Sequence, residues 1–110
     1  MKKEVHLCNV QEALDIIIGK WKAIILLTLL NKGTQRFNEL HRNIPGITQK
    51  MLANQLRELE AEDVVMRKVY PEIPPKVEYS ITEYGKTLEP ILDSMHQWGT
   101  NHLLHKAKQN

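Results

Sequence analysis

Three features of the chain predict a mainly α fold carrying a small antiparallel β-hairpin, about five helices with a sheet of two to three strands. Apolar residues recur at helical spacing in the segments around 9–18, 23–30, 36–62 and 83–106. Between the third and fourth of these, Val64 to Tyr70 and Val77 to Ile81 read instead as strands, the second alternating Val77, Tyr79 and Ile81 with polar residues. A Pro-Gly pair, Pro45-Gly46, breaks the 36–62 stretch into a short helix, a tight turn and a longer helix.

The first helix has Asn9 as a candidate N-cap, with Glu12 at the reciprocal position of a capping box, and runs through Ala13, Leu14, Ile16, Ile17 and Ile18 to Gly19. Ala23 to Leu30 is the most apolar stretch. It is far shorter than a bilayer crossing and follows Lys20-Trp21-Lys22, so it reads as a buried core helix.

Next, Phe37, Leu40 and Ile44 give a helix from about Arg36 one apolar face. Pro45-Gly46 ends it, because proline disfavours helix in the residue before it and glycine supplies turn angles. Ile47 can plug the corner, and Thr48 can cap the next helix, which runs to about Glu62. On that second helix Leu52, Leu56 and Leu59 share one face, while Lys50, Ala53, Asn54 and Arg57 project on the other.

Lysine, asparagine and arginine on an outward helix face can bond base edges and phosphates in a DNA major groove, and Ala53 leaves room for close approach. Taken alone, an ordinary solvated face would explain the same pattern. The hairpin that follows weighs toward DNA. Its turn holds Pro71, Pro74 and Pro75, which cannot donate to a ladder, and Arg67, Lys68 and Lys76 give it positive charge. A ribbon directly after a recognition helix is the wing of a winged helix-turn-helix. The plainer explanation of the wing lysines is edge protection against aggregation.

Thr82 is expected to start the last helix, with Leu88, Ile91, Leu92, Met95, Trp98 and Leu103 as an apolar stripe and Pro90 either kinking or restarting it. A core this small cannot easily cover both terminal helices, and a helix-turn-helix usually needs two copies to read enough sequence. One domain over residues 1–110 is therefore expected to dimerise through about 9–18 and 83–106, with Leu14, Ile17, Leu92, Met95, Trp98 and Leu103 in the interface.

Composition fits a folded domain with little core to spare: 110 residues, 42% hydrophobic. Fifteen Lys+Arg against 13 Asp+Glu gives a net charge of only +2, so total charge alone does not identify a nucleic-acid binder. Its distribution is more telling. From Arg36 to Arg57 the charged residues are Arg36, Arg42, Lys50 and Arg57 against Glu39, whereas Glu58, Glu60, Glu62 and Asp63 gather behind them. The single cysteine, Cys8, cannot form an internal disulfide, and no signal peptide or membrane span is recognisable, which together lead to an expected cytoplasmic location.

Taken in order, Gly19-Lys20-Trp21, Gly33 with Arg36-Phe37-Asn38-Glu39-Leu40, Ile44-Pro45-Gly46-Ile47, Leu52 with Leu56-Arg57-Glu58-Leu59-Glu60, Pro75-Lys76-Val77-Glu78-Tyr79, Thr82 with Gly85, and Trp98-Gly99 resemble the HxlR-type branch of the MarR-like winged-helix regulators. The resemblance spans Cys8 to Trp98. It implies a bacterial, homodimeric transcription factor binding an operator near its own or neighbouring genes, with several relatives sensing electrophiles or oxidants through an N-terminal cysteine. Asn9 stands where the family usually has proline, and Asp63 where it usually has glycine.

The expected site residues follow. Lys50, Asn54 and Arg57 read or flank base edges, Thr48 and Gln49 contact phosphate or the first base, and Arg36 and Lys76 clamp the backbone to either side. Cys8 is a candidate redox sensor, since the start of a helix favours the thiolate and His6 is close; a small packing residue is the alternative. His96, His102 and His105 lack the further ligands a metal site needs, and neither a phosphate loop nor a nucleophile motif is present. No cofactor and no catalysis are expected. The partners are double-stranded DNA, a second copy and an oxidant or small-molecule effector. Two other readings stay open: a winged helix used as a protein-interaction module, and a small-molecule sensor with its ligand near Trp21 and Trp98.

Overall fold

A computed structural model describes residues 9–109. Cys8 and His6 lie outside the described residues. The elements in order are α1 (Val10–Ile17), α2 (Lys22–Lys32), β1 (Gln35–Arg36), α3 (Phe37–Arg42), α4 (Gln49–Ala61), β2 (Val65–Tyr70), β3 (Lys76–Ile81), a 3-10 turn (Gly85–Leu88) and α5 (Glu89–Lys108). This is the mainly α fold with a β-hairpin wing that the periodicity predicts, with a third short strand completing the sheet.

The core is built from one face of each element. Ile25, Leu26 and Leu29 of α2, Leu40 of α3, Leu52, Leu56 and Leu59 of α4, and Val64, Val65 and Tyr79 at the base of the wing are all buried. Fully burying an aliphatic side chain of this size contributes about 1.5–3 kcal/mol. The three leucines thus pin α4 by one side. Ile44 and Ile47 close the corner between α3 and α4, and Gly46, at φ +89°, takes the left-handed turn with the Trp21 ring against it.

The helix ends separate expectation from outcome. Thr48 is in an extended conformation and its Oγ1 accepts a hydrogen bond from Met51 N at 3.1 Å, the expected cap. Asn9, by contrast, makes no side-chain cap bond, so the capping box with Glu12 does not form. Its ψ of 12° is turn-like. An N-cap side chain reaches back to the free amides only from the extended region. Asp63 adopts φ +62°, the left-handed geometry that lets the chain leave α4 for the wing.

Thr82 does not begin α5. Its hydroxyl donates to the Asp63 carbonyl (2.6 Å) and accepts from Gly85 N (2.8 Å), tying the end of the wing to the end of α4 before the 3-10 turn. Pro90 lies in the first turn of α5, where its missing N–H costs nothing, so it starts the helix rather than kinking it.

Ile17 (6% exposed) and Leu92 (1% exposed) pack into the protomer's own core. This corrects their expected place in a dimer interface: each lies on the inner side of its helix. Leu14, Met95, Trp98 and Leu103 are exposed.

The sheet order is β1-β3-β2, all antiparallel, with β3 in the centre. Gly85 is buried beneath it, and a Cβ there would strike the Val64 carbonyl oxygen and crowd Ile81. That carbonyl already accepts from Thr82 N (3.2 Å) and cannot swing away freely. Gly85→Ala is therefore expected to cost about 1–3 kcal/mol, read as a lower urea midpoint at unchanged m-value.

Candidate nucleic-acid interface

With Leu52, Leu56 and Leu59 facing inward, the opposite side of α4 presents Gln49, Lys50, Asn54 and Arg57 to solvent, and Ala53 is half-buried between them. Arg57 Nη1 donates to Asn54 Oδ1 at 3.1 Å, so the two side chains hold one another on the exposed face. Glu58, the first acid after them, is drawn toward α2 by Lys22 (3.5 Å), whose side chain is only 12% exposed. Thr48 is exposed, but its oxygen already serves as the cap, which makes it first a positioning residue for α4.

The wing has two faces, and the ladder register decides which residues belong to each. On the outer face, Lys68 pairs with Glu78 and Tyr70 with Lys76, while Arg36 of β1 stands opposite Glu78 on the other side. These groups are knitted together. Lys76 Nζ lies 3.4 Å from the Glu78 carboxylate, and Lys68 and Lys76 both approach the Tyr70 ring, at 4.9 and 4.7 Å from its centroid. A hydrogen bond from Tyr70 lowers the Glu78 pKa, the nearby Lys76 and Arg36 charges act in the same direction, and partial desolvation opposes them.

Arg36 and Lys76, far apart in sequence, meet in one cleft of about 750 Å³ between the start of α3 and the base of the wing turn. Arg42 adds a third positive charge to it, against Glu39 alone. Glu39 is occupied in turn, since its Oε1 accepts from Arg36 N at 2.8 Å and secures the start of α3. A second, smaller cleft lies between α4 and the wing and is lined by Ala53, Arg57, Glu60, Arg67 and Tyr79. Of the outward positions on α4, Arg57 lines this second cleft, whereas the first is lined by Arg36, α3 and the wing alone. Arg42 was not singled out as a site residue from the sequence, and the role of Arg67 there was only general wing charge; their places depend on contacts between separate elements.

The two tryptophans have different surroundings. Trp21 packs partly into the core beside Gly46, under the Lys20 ammonium at 4.7 Å, whereas Trp98 is 68% exposed and stacks on His102 with ring centroids 5.0 Å apart. Among the described residues no group of His, Cys, Asp and Glu could hold a metal ion, and no helix is long and apolar enough to cross a membrane.

A short helix, tight turn and capped second helix, followed by a two-stranded wing that β1 extends to a three-stranded sheet, define a winged helix-turn-helix. The chain belongs to the HxlR-like helix-turn-helix family, whose model matches residues 16–107. It is 55% identical over 92 residues to the HTH-type transcriptional regulator YybR of Bacillus subtilis, covering 84% of this chain and 73% of that protein. To YtcD of the same organism it is 52% identical over 103 residues, covering 94% and 81%.

Among solved structures, the redox regulator HypR in its reduced form superposes with a TM-score of 0.83 at 50% identity, covering 90% of this chain and 99% of that one. The oxidised form of HypR gives 0.79 at 54% identity, with 86% and 96% covered. The protein is accordingly a transcriptional regulator of a DNA-binding, non-enzymatic family.

The outer-face ladder carries a pH signature. Because the folded Glu78 carboxyl titrates below its ordinary value of 4.5, its contribution to stability is complete above that value and is lost as pH falls through the lower, folded one. Glu78→Gln is expected to flatten the acid side of the melting-temperature profile below pH 4.5, measured by circular dichroism beside the unaltered protein.

Proposed function

We propose that this regulator binds an inverted-repeat operator as a homodimer and represses transcription from it. The observation that carries this reading is the exposed face of α4 bearing Gln49, Lys50, Asn54 and Arg57, with Arg57 sharing a cleft with Arg67 of the wing against the single acid Glu60. Lys50 and Asn54 suit base edges, and Arg57 flanks them. Gln49 at the first turn of α4 and Thr48 before it suit a phosphate or the first base, and Arg36 and Lys76 suit backbone phosphates to one side. A protein-docking face would carry aromatic or aliphatic anchors here, and family membership supports DNA.

The second copy is supported by apolar surface away from this face. Leu14 on α1 is exposed together with Val10 and Ile18, and Met95, Trp98 and Leu103 on α5 are exposed with Ile91 and Leu104. Only Leu92 of the 20 residues of α5 is buried. Uncovered apolar residues grouped on the two terminal helices of a small domain support an interface there. A symmetric pairing through it would present two α4 helices to half-sites about one or two helical turns apart.

A redox response forms the second part of the proposal. It is supported by the likeness to HypR, described as a redox regulator and solved in oxidised and reduced forms, and by a cysteine, Cys8, two positions before the first residue of α1 in sequence. With one cysteine per chain, oxidation would join two subunits or attach a small thiol.

Two experiments test these parts. On a duplex selected from a random pool by the purified protein, Asn54→Ala is expected to lose about 1–3 kcal/mol of binding, with little change on a shuffled duplex. Trp98→Asp should yield a monomer by light scattering and a footprint reduced to a half-site. Unchanged binding by Asn54→Ala, or a wild-type monomer at micromolar concentration, counts against the corresponding part. For the redox part, diamide is expected to lower operator affinity of the wild type and to leave Cys8→Ser unaffected; identical behaviour of the two proteins would remove Cys8 from the mechanism.

A further inference from the structure

Arg67 occupies an anomalous position in the wing. On the inner face of the sheet, Val65 stands opposite Ile81, Arg67 opposite Tyr79, and Val69 opposite Val77. Five of these six residues are apolar or aromatic, and Val65 and Tyr79 are buried. Strict alternation therefore places an arginine on an otherwise apolar face of the sheet, between buried Val65 and exposed Val69. Its side chain leaves the sheet on the side of α4, into the cleft of about 310 Å³ shared with Ala53, Arg57, Glu60 and Tyr79.

The outer-face lysines are engaged with Glu78 and Tyr70, as described above. Among the described residues, neither Arg57 nor Arg67 is ion-paired, although Glu60 lines the same cleft. Two guanidinium groups against one carboxylate leave a net single positive charge. A phosphodiester carries a single negative charge, and guanidinium recognises its oxygens through paired N–H donors.

The position of the cleft matters as much as its charge. When a recognition helix enters a major groove and a wing reaches toward the neighbouring groove, one DNA strand must pass between them. The space between α4 and the wing is this cleft. The geometry points to a phosphate seat: Arg57 from α4 and Arg67 from β2 hold one backbone phosphodiester of the strand that separates the two grooves, with Tyr79 lining the site and Glu60 limiting its affinity. This assignment rests on the DNA-binding reading proposed above and adds Arg67, Tyr79 and Glu60 to it.

The test compares wild type, Arg67→Ala and Glu60→Gln on the selected duplex and on a shuffled duplex of equal length, over a series of salt concentrations. Arg67 and Glu60 are exposed, so both variants should fold, which the urea midpoint checks. Arg67→Ala is expected to weaken both duplexes alike, ~5- to 10-fold, and to reduce the slope of log affinity against log salt by about one per bound subunit. Glu60→Gln is expected to tighten both, by ~2- to 5-fold, since it removes a like charge beside the phosphate.

A neutral methylphosphonate moved singly along the selected duplex should identify one linkage per half-site whose neutralisation weakens wild type but not Arg67→Ala. Should wild type bind with ordinary salt dependence while Arg67→Ala keeps the same slope, or lose affinity only on the selected duplex, the phosphate seat is wrong though DNA binding stands. Absence of salt-dependent binding of either duplex by wild type would overturn both readings.

Discussion

Burial of Leu52, Leu56 and Leu59 along one side of α4 is the constraint on which the rest of the molecule depends. A helix has only one azimuth once three of its residues are committed to a core, and here that azimuth sends Lys50, Asn54 and Arg57 outward. Leu40, Ile44 and Ile47 fix the approach of α3 to the same core, and the Thr48 cap fixes the residue at which α4 begins. The polar groups proposed to contact DNA are therefore placed by aliphatic residues buried on the opposite side of the helix. A register change in those leucines would rotate the polar face away as a unit.

The same core sets the wing. Asp63 takes the left-handed turn, Val64 and Val65 re-enter the core, and Thr82 ties the far end of the hairpin back to Asp63 and Gly85. The hairpin is thus anchored at its base by apolar packing and a side-chain hydrogen-bond relay, while its outer part projects beyond the body. There, the work of holding shape passes to Tyr70, Lys68, Lys76 and Glu78 on the outer face. Such exposed contacts are individually weak and screened by salt. Their consequence is positional: they commit the outer-face lysines to Tyr70 and Glu78, while the ladder register turns Arg67 toward α4.

The two ends of the chain follow a different logic. On α5, Ile91, Met95, Trp98, Leu103 and Leu104, and on α1, Val10 and Leu14, are apolar side chains that the protomer does not cover, whereas Ile17 and Leu92 turn inward and hold each helix to the body. One buried contact per helix docks it; the remaining apolar face stays available. This division explains why the apolar stripe read along α5 mixes two kinds of residue that periodicity cannot separate, since hydrophobicity alone does not tell an inward side chain from an uncovered one.

Local rules were enough for most of the architecture. The Pro45-Gly46 break, the Thr48 cap, the leucine face of α4 and the strand alternation at Val77, Tyr79 and Ile81 all follow from short-range sterics, capping and amphipathicity that the sequence carries in full. The failures were also local in appearance: Asn9 had the right neighbour for a capping box, and Thr82 looked like a helix start. In the first case the backbone angles, and in the second a hydrogen bond to a residue 19 positions away, determined the outcome. What only the tertiary structure decided was which charges meet. Arg36 with Arg42 and Lys76 in one cleft, Arg57 with Arg67 in another, and Glu58 drawn aside by Lys22 are juxtapositions of separate elements. Charge carries no periodic signal for its partners; sequence determines the face on which a charge sits, and only packing brings two such faces together.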